Sequence, residues 1–159
     1  MNIFDDYTHN LLNELNKNNV EYIVVGGYAV NFHGYRRTTG DIDLWIRPEN
    51  GINKNNIIQS LRNLKVEETI LDQLKALDFS KPIVFIDGEE PFKIDFMTYI
   101  SGVDFNEAWQ QKMITTLDDT PIPFIHLKHL IISKITTGRP QDKIDVEQLQ
   151  KIQAIKNKK

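Results

Sequence analysis

The segment that most limits what this chain can become is VVGGYAVNFHGYRRTTGDIDLWI, from Val24 to Ile46. An apolar run, Tyr22 to Val25, leads without a break into Gly26-Gly27, and a second apolar run, Asp41 to Ile46, carries aspartate at alternate positions. Side chains alternate along a strand, so Asp41 and Asp43 share one face while Ile42, Leu44 and Ile46 share the other. The apolar set is expected to bury against helices and the aspartates to line an open surface, their Cα atoms roughly 7 Å apart. A later run, KIDFM, repeats the pattern with Ile94 and Phe96 on the buried parity and Asp95 on the open one. If the two strands are neighbours, three carboxylates converge.

Periodicity supplies the elements around this segment. Ile3 to Asn16 reads as an amphipathic helix with Tyr7, Leu11, Leu12 and Leu15 on one side. Tyr28 to Phe32 reads as a short helix closed at Gly34. Helices are expected over Asn53 to Leu64 and Thr69 to Leu77. Strands are expected over Pro82 to Ile86 and Phe92 to Tyr99, joined through the turn at residues 87–91. Asp104 is placed to cap a helix reaching Gln110, and Met113 to Leu117 reads as a further strand. Two helices, Leu127 to Thr136 and Gln141 to Ile155, are separated by Gly138-Arg139-Pro140. The fold class is α/β (mixed α+β): one domain over residues 1–159 with a mixed sheet, helices packed on one face and a helical C-terminal end.

Composition narrows the function classes. At 159 residues the chain can bury roughly two-thirds of its unfolded surface. A net charge of −3 argues against gripping nucleic acid by bulk electrostatics. Cysteine is absent, which excludes a disulfide framework, a thiolate zinc site and a thiol nucleophile. The start, MNIFDDYTHN, is acidic where a signal peptide is basic and then apolar, and no apolar run approaches the roughly 20 residues that span a bilayer. The expectation is a cytoplasmic protein with no membrane partner.

Asp-Ile-Asp taken alone reads as a solvated strand face; its company changes the reading. A strand running into Gly-Gly and a helix lets phosphate approach bare backbone, although no Walker A or G-x-G-x-x-G pattern is present. Arg37 can clamp triphosphate oxygens or neutralise the aspartates. Hard oxygen ligands suit Mg²⁺ or Mn²⁺ bound with substrate phosphates. Lys134 can reach a triphosphate or stand as an exposed helical lysine. Arg139 and Asp142 are expected to pair across the helix–helix turn. Trp45 shares the aspartates' parity and either walls a nucleotide pocket or packs at the sheet. His33 is expected to pack beside the Gly34 turn, and His126 with His129 lacks the company of a zinc site.

Together Gly26-Gly27, Asp41-Ile42-Asp43 and Asp95 resemble the nucleotidyltransferase superfamily of the DNA polymerase β type. The fuller string, with Ala29, His33-Gly34, Arg37, Thr39 and Leu44, is similar to small bacterial nucleotidyltransferase-like proteins, some related to toxin–antitoxin or phage-defence components of the AbiEii kind. Lys134, Gly138-Arg139, Asp142 and Asp145 add to the likeness. The resemblance implies that Asp41, Asp43 and Asp95 hold the metal and carry catalysis. It also implies that Gly26, Gly27, Arg37, Thr39 and Lys134 bind the nucleotide. The implied reaction moves NMP from an NTP to an unidentified hydroxyl on protein, RNA or a small molecule, releasing pyrophosphate. A non-catalytic nucleotide-binding or antitoxin-type protein, acting with a partner protein, is the alternative; a Mn²⁺-dependent sugar-nucleotide enzyme fits the glycines and basic link less well.

Overall fold

The computed structural model describes residues 5–89 and 93–158. Helix α1 (Asp6–Lys17) starts where Asp5 Oδ1 accepts the Thr8 N–H at 2.9 Å, and it buries Leu11, Leu12 and Leu15. Strand β1 (Tyr22–Val25) runs straight into α2 (Gly26–Phe32), so the helix begins at the glycines rather than after them. Strand β2 (Ile42–Ile46) begins one residue after Asp41. Helices α3 (Ile52–Asn63) and α4 (Glu68–Ala76) follow, then β3 (Val84–Asp87) and β4 (Ile94–Met97), whose antiparallel pairing is the expected hairpin. Part of the expected turn and the first residue of the expected strand, residues 90–92, lie outside the described residues, as do Ile3 and Lys159.

The C-terminal half adds α5 (Phe105–Gln111), where Asp104 caps by accepting the Glu107 N–H. Strands β5 (Met113–Leu117) and β6 (Thr120–Phe124) come next, then α6 (Leu127–Thr137) and α7 (Pro140–Asn157). The six strands order β3-β4-β2-β1-β6-β5, with β2–β4 and β1–β6 parallel and the other pairs antiparallel.

Strand β6 is absent from the sequence expectations because prolines occupy two of its five positions, Pro121 and Pro123. Its register explains how they are tolerated. The N–H of Ile125 donates to Val24 O of β1, so by alternation the missing donors of Pro121 and Pro123 point towards β1. Pairing there is confined to Val24 and Phe124, while the opposite parity holds the full register with β5.

Registry sorts the two faces. Tyr22, Val24, Leu44, Ile46, Ile94 and Phe96 share one face and are at most 1% exposed. On that side the Tyr22 hydroxyl donates to Asn16 of α1, and Phe32 of α2 stacks on Phe124 at 4.2 Å. The opposite face carries Asp43, Trp45, Asp95 and Met97. Trp45 does not wall a pocket. It is 1% exposed and meets Phe105 of α5 edge-on at 5.1 Å, the packing role of the two the sequence allowed.

Candidate active site

Strands β2 and β4 are parallel neighbours in which Asp43 sits directly beside Asp95. Neighbouring strands lie about 4.8 Å apart, so two carboxyl groups project side by side from the same face. Burial first, and then the Asp95 carboxylate beside it, push the Asp43 carboxyl up to about 7. Asp95 Oδ1 is buried with no hydrogen-bond partner. Asp41, just outside the strand, has turned to Lys93, whose Nζ lies 3.3 Å from its Oδ2. As the side chains lie, no three carboxylate or imidazole groups among the described residues stand close enough to hold a metal ion. The donor chemistry nonetheless fits a hard divalent cation: crowded carboxylates, one raised by burial and its neighbour's charge and one with a buried oxygen unpartnered.

The glycines lie against this pair. Gly26 has φ +68°, and a Cβ there would stand 2.1 Å from Asp43 Oδ2. A Cβ on Gly27 would stand 1.9 Å from Thr39 Oγ1. Only a residue without a side chain lets the strand-to-helix turn approach the Asp43 carboxylate and the Thr39 hydroxyl so closely. Val25 offers no side-chain cap to α2.

The opposite wall is cationic and comes from the C-terminal helices. Lys134 of α6 is 8% exposed, with its Nζ 3.1 Å from Asp142 and 3.0 Å from Asp145. The expectation of an exposed helical lysine therefore fails, because α7 folds back to bury it between two carboxylates. Arg37 grips Asp145 with both ends of its fork, Nε to Oδ1 at 2.8 Å and Nη2 to Oδ2 at 2.9 Å. It neutralises a carboxylate of α7, not the strand aspartates. Arg139 donates to Asp142 at 2.8 Å, the pairing expected at the turn. Burial alone would raise Asp142 and Asp145, but hydrogen bonds from Arg139, Thr137 and Lys134 to the first, and from Arg37, Lys134 and Gln141 to the second, hold both below the usual range. Three cations face two carboxylates, so this wall carries surplus positive charge.

Gly26, Gly27, Arg37, Thr39, Asp41, Asp43, Asp95 and Lys134 all line one cleft of about 420 Å³. A second hollow of about 510 Å³ shares Asp43, Asp95, Lys134 and Arg139 and extends over the sheet towards Met97 and Tyr99.

The model of a family described as "nucleotidyltransferase of unknown function (DUF6036)" matches residues 5–158. The chain belongs to this nucleotidyltransferase family. No curated protein sequence matches it. Among solved structures it is similar to the lincosamide antibiotic adenylyltransferase LnuA bound to lincomycin, at 16% identity and TM-score 0.55, covering 95% of this chain and 99% of that one. ANT(2'')-Ia in complex with adenylyl-2''-tobramycin gives 13% identity and TM-score 0.53, covering 93% and 91%. The Thermotoga maritima protein TM1012 gives 14% identity and TM-score 0.54, covering 96% and 92%. At such identities these likenesses speak for the fold, which is the α/β nucleotidyltransferase type expected from the sequence.

In this nucleotidyltransferase residues that hold the cleft's side chains escaped the reading of the sequence. Lys93, which holds Asp41, stands only two residues before Asp95. Asp145 had no role assigned, although Asp142 and Asp145 sit three apart on α7, where one helix face can present both to Lys134. His33 is buried and lies away from the chemistry, with its Nε2 2.6 Å from Ile125 O. His126 caps α6 by accepting the Lys128 N–H.

Proposed function

We propose that this nucleotidyltransferase moves a nucleoside monophosphate from an NTP to a hydroxyl acceptor with the help of Mg²⁺ or Mn²⁺. The observation that carries the reading is the side-by-side placement of Asp43 and Asp95 beneath the Gly26-Gly27 turn, facing a wall of Arg37, Lys134 and Arg139. Acids on one side and cations on the other suit a metal-bound triphosphate.

Asp43, Asp95 and, once released from Lys93, Asp41 would hold the cation. When bound it neutralises triphosphate charge and makes the α-phosphorus more electrophilic. Gly26 and Gly27 let phosphate oxygens reach backbone, with Thr39 beside them. Arg37 and Lys134 turn part of their charge from Asp145 and Asp142 to the phosphates. Asp95, with its unpartnered oxygen, accepts the acceptor's hydroxyl proton. The acceptor oxygen bonds to the α-phosphorus as the bond to the β-phosphate oxygen breaks, and pyrophosphate leaves. Positioning and charge neutralisation supply most of the rate.

Two solved neighbours are described with adenylyl transfer, which makes ATP the first donor to test. No described helix is long and apolar enough to cross a membrane, and the reading places the reaction in the cytoplasm, where nucleoside triphosphates are supplied. The test is incubation with Mg²⁺ and each α-labelled NTP, with lysate split into protein, RNA and small-molecule fractions. Metal-dependent labelling of one fraction, lost when Asp41 and Asp43 are both changed to alanine, is expected. Undiminished labelling by a folded double variant refutes the assignment.

A further inference from the structure

We infer that the acceptor is an uncharged small molecule with an apolar body and a hydroxyl at one end, seated in the second hollow. This rests on the nucleotidyl-transfer reading above. The hollow, about 510 Å³, begins at Asp43 and Asp95 and runs between the open sheet face and α6. Its volume falls within the range of small-molecule sites.

The distribution of charge along it selects the ligand. Every charged residue among its described lining, namely Asp43, Asp95, Lys134, Arg139 and Asp142, stands where it meets the nucleotide cleft. Away from that junction its walls are Val84, Met97, Tyr99, Ile100, Ile125 and Leu130. Val84 of the edge strand is 64% exposed and Tyr99 57%, apolar surface that a ligand would cover. A nucleic-acid acceptor would need cations along this stretch for its phosphates. A polyamine or aminoglycoside would need carboxylates there, but Asp43, Asp95 and Asp142 all stand at the junction, the last already engaged by Lys134, Arg139 and Thr137. A neutral, mostly apolar body meets no unpaired charge, and its terminal hydroxyl falls at Asp95. The hydroxyls of Ser101, Ser133 and Thr137, also in the lining, supply polar points for orientation.

Neutral n-alkyl β-D-glucosides of increasing chain length, kept below their micellar range, are suitable probes by calorimetry without nucleotide. Affinity should rise about two- to fourfold per added methylene until the hollow is filled. Val84→Glu and Val84→Lys, at an exposed position, should each weaken the longest ligand about fivefold or more, while both variants still bind Mg–ATP. The inference is overturned if affinity is flat with chain length or absent at millimolar concentration, or if the two charge changes act in opposite directions. Tighter binding of kanamycin or tRNA than of any glucoside overturns it as well. Wild-type protein that binds the glucosides but not Mg–ATP would sink the transfer reading while leaving the hollow's ligand class standing.

Discussion

Asp43→Asn in metal-free protein is the sharpest test of the carboxylate pair. The Asp43 carboxyl is carried from an ordinary value of 3.8 up to about 7, by burial first and by Asp95 next. That displacement ties about 4 kcal/mol to ionising it in the folded protein. The sign follows from the folded value lying above the unfolded one. The folded state holds the proton more tightly, so this stability is fully present below the unfolded value and is lost as pH rises through about 7. Asparagine keeps the shape and a donor towards Asp95 but carries no charge. At pH 8 in EDTA the variant should gain about 1–3 kcal/mol, less than the full figure because the amide hydrogen-bonds imperfectly and the site relaxes. For a chain of this length that is a Tm rise of about 3–9 °C. At pH 5 the folded protein keeps the Asp43 proton while the unfolded chain, at 3.8, has mostly released it, so the gain should fall to less than half of its pH 8 value and vanish only below the unfolded value. Thermal melts at the two pH values, with and without Mg–ATP, read both halves of the argument. An equal gain at both pH values, or a loss at pH 8, refutes the electrostatic account. Stabilisation by Mg–ATP undiminished in the variant would place the cation elsewhere.

Lys134→Met should destabilise the fold by about 3–5 kcal/mol, because Asp142 and Asp145 lose the ammonium between them; chemical denaturation measures it. Asp145→Asn should weaken Mg–ATP binding more than it slows any bound turnover, since it loosens Arg37 without touching Asp43 or Asp95; a KM-against-kcat comparison separates the two. Gly27→Ala should cost about 1–3 kcal/mol and displace Thr39, whose hydroxyl stands where the new methyl must go; an unchanged melt would show that the turn yields freely. The carboxyls of Asp142 and Asp145 lie below their ordinary range, so the stability they contribute is present above that range and lost as pH falls through their folded values; acid titration should show Lys134→Met less acid-sensitive than wild type.

The strand aspartates were legible because period two is a geometric rule. Once Ile42, Leu44, Ile94 and Phe96 fixed the buried parity, Asp43 and Asp95 had only one face left. The Gly-Gly turn was legible as bare backbone at a strand-to-helix junction, but its cause in the structure, the intrusion of Asp43 and Thr39 from two other segments, was not. The burial of Lys134 was not legible because it depends on α7 folding back across a turn whose angle no local pattern encodes. Arg37 was read against its sequence neighbours, yet its partner Asp145 is more than a hundred residues away. Strand β6 was hidden by Pro121 and Pro123, whose cost vanishes only when it is known that the β1 side of the strand pairs at Phe124 alone.

The pairing of Arg37 with Asp145 also sets an order of assembly. The carboxylate pair needs only β2 and β4, whose residues are all in the chain by Met97. The cationic wall waits for Lys134 and for α7 to bring Asp142 and Asp145 against it. A chain growing from its N-terminus therefore carries its acids for some fifty residues before the counter-wall closes. Until then Arg37 lacks its anchor on Asp145. On the proposed reading, the cationic half of the nucleotide site is thus completed by the C-terminal helices, though every residue that would hold the metal lies upstream of them.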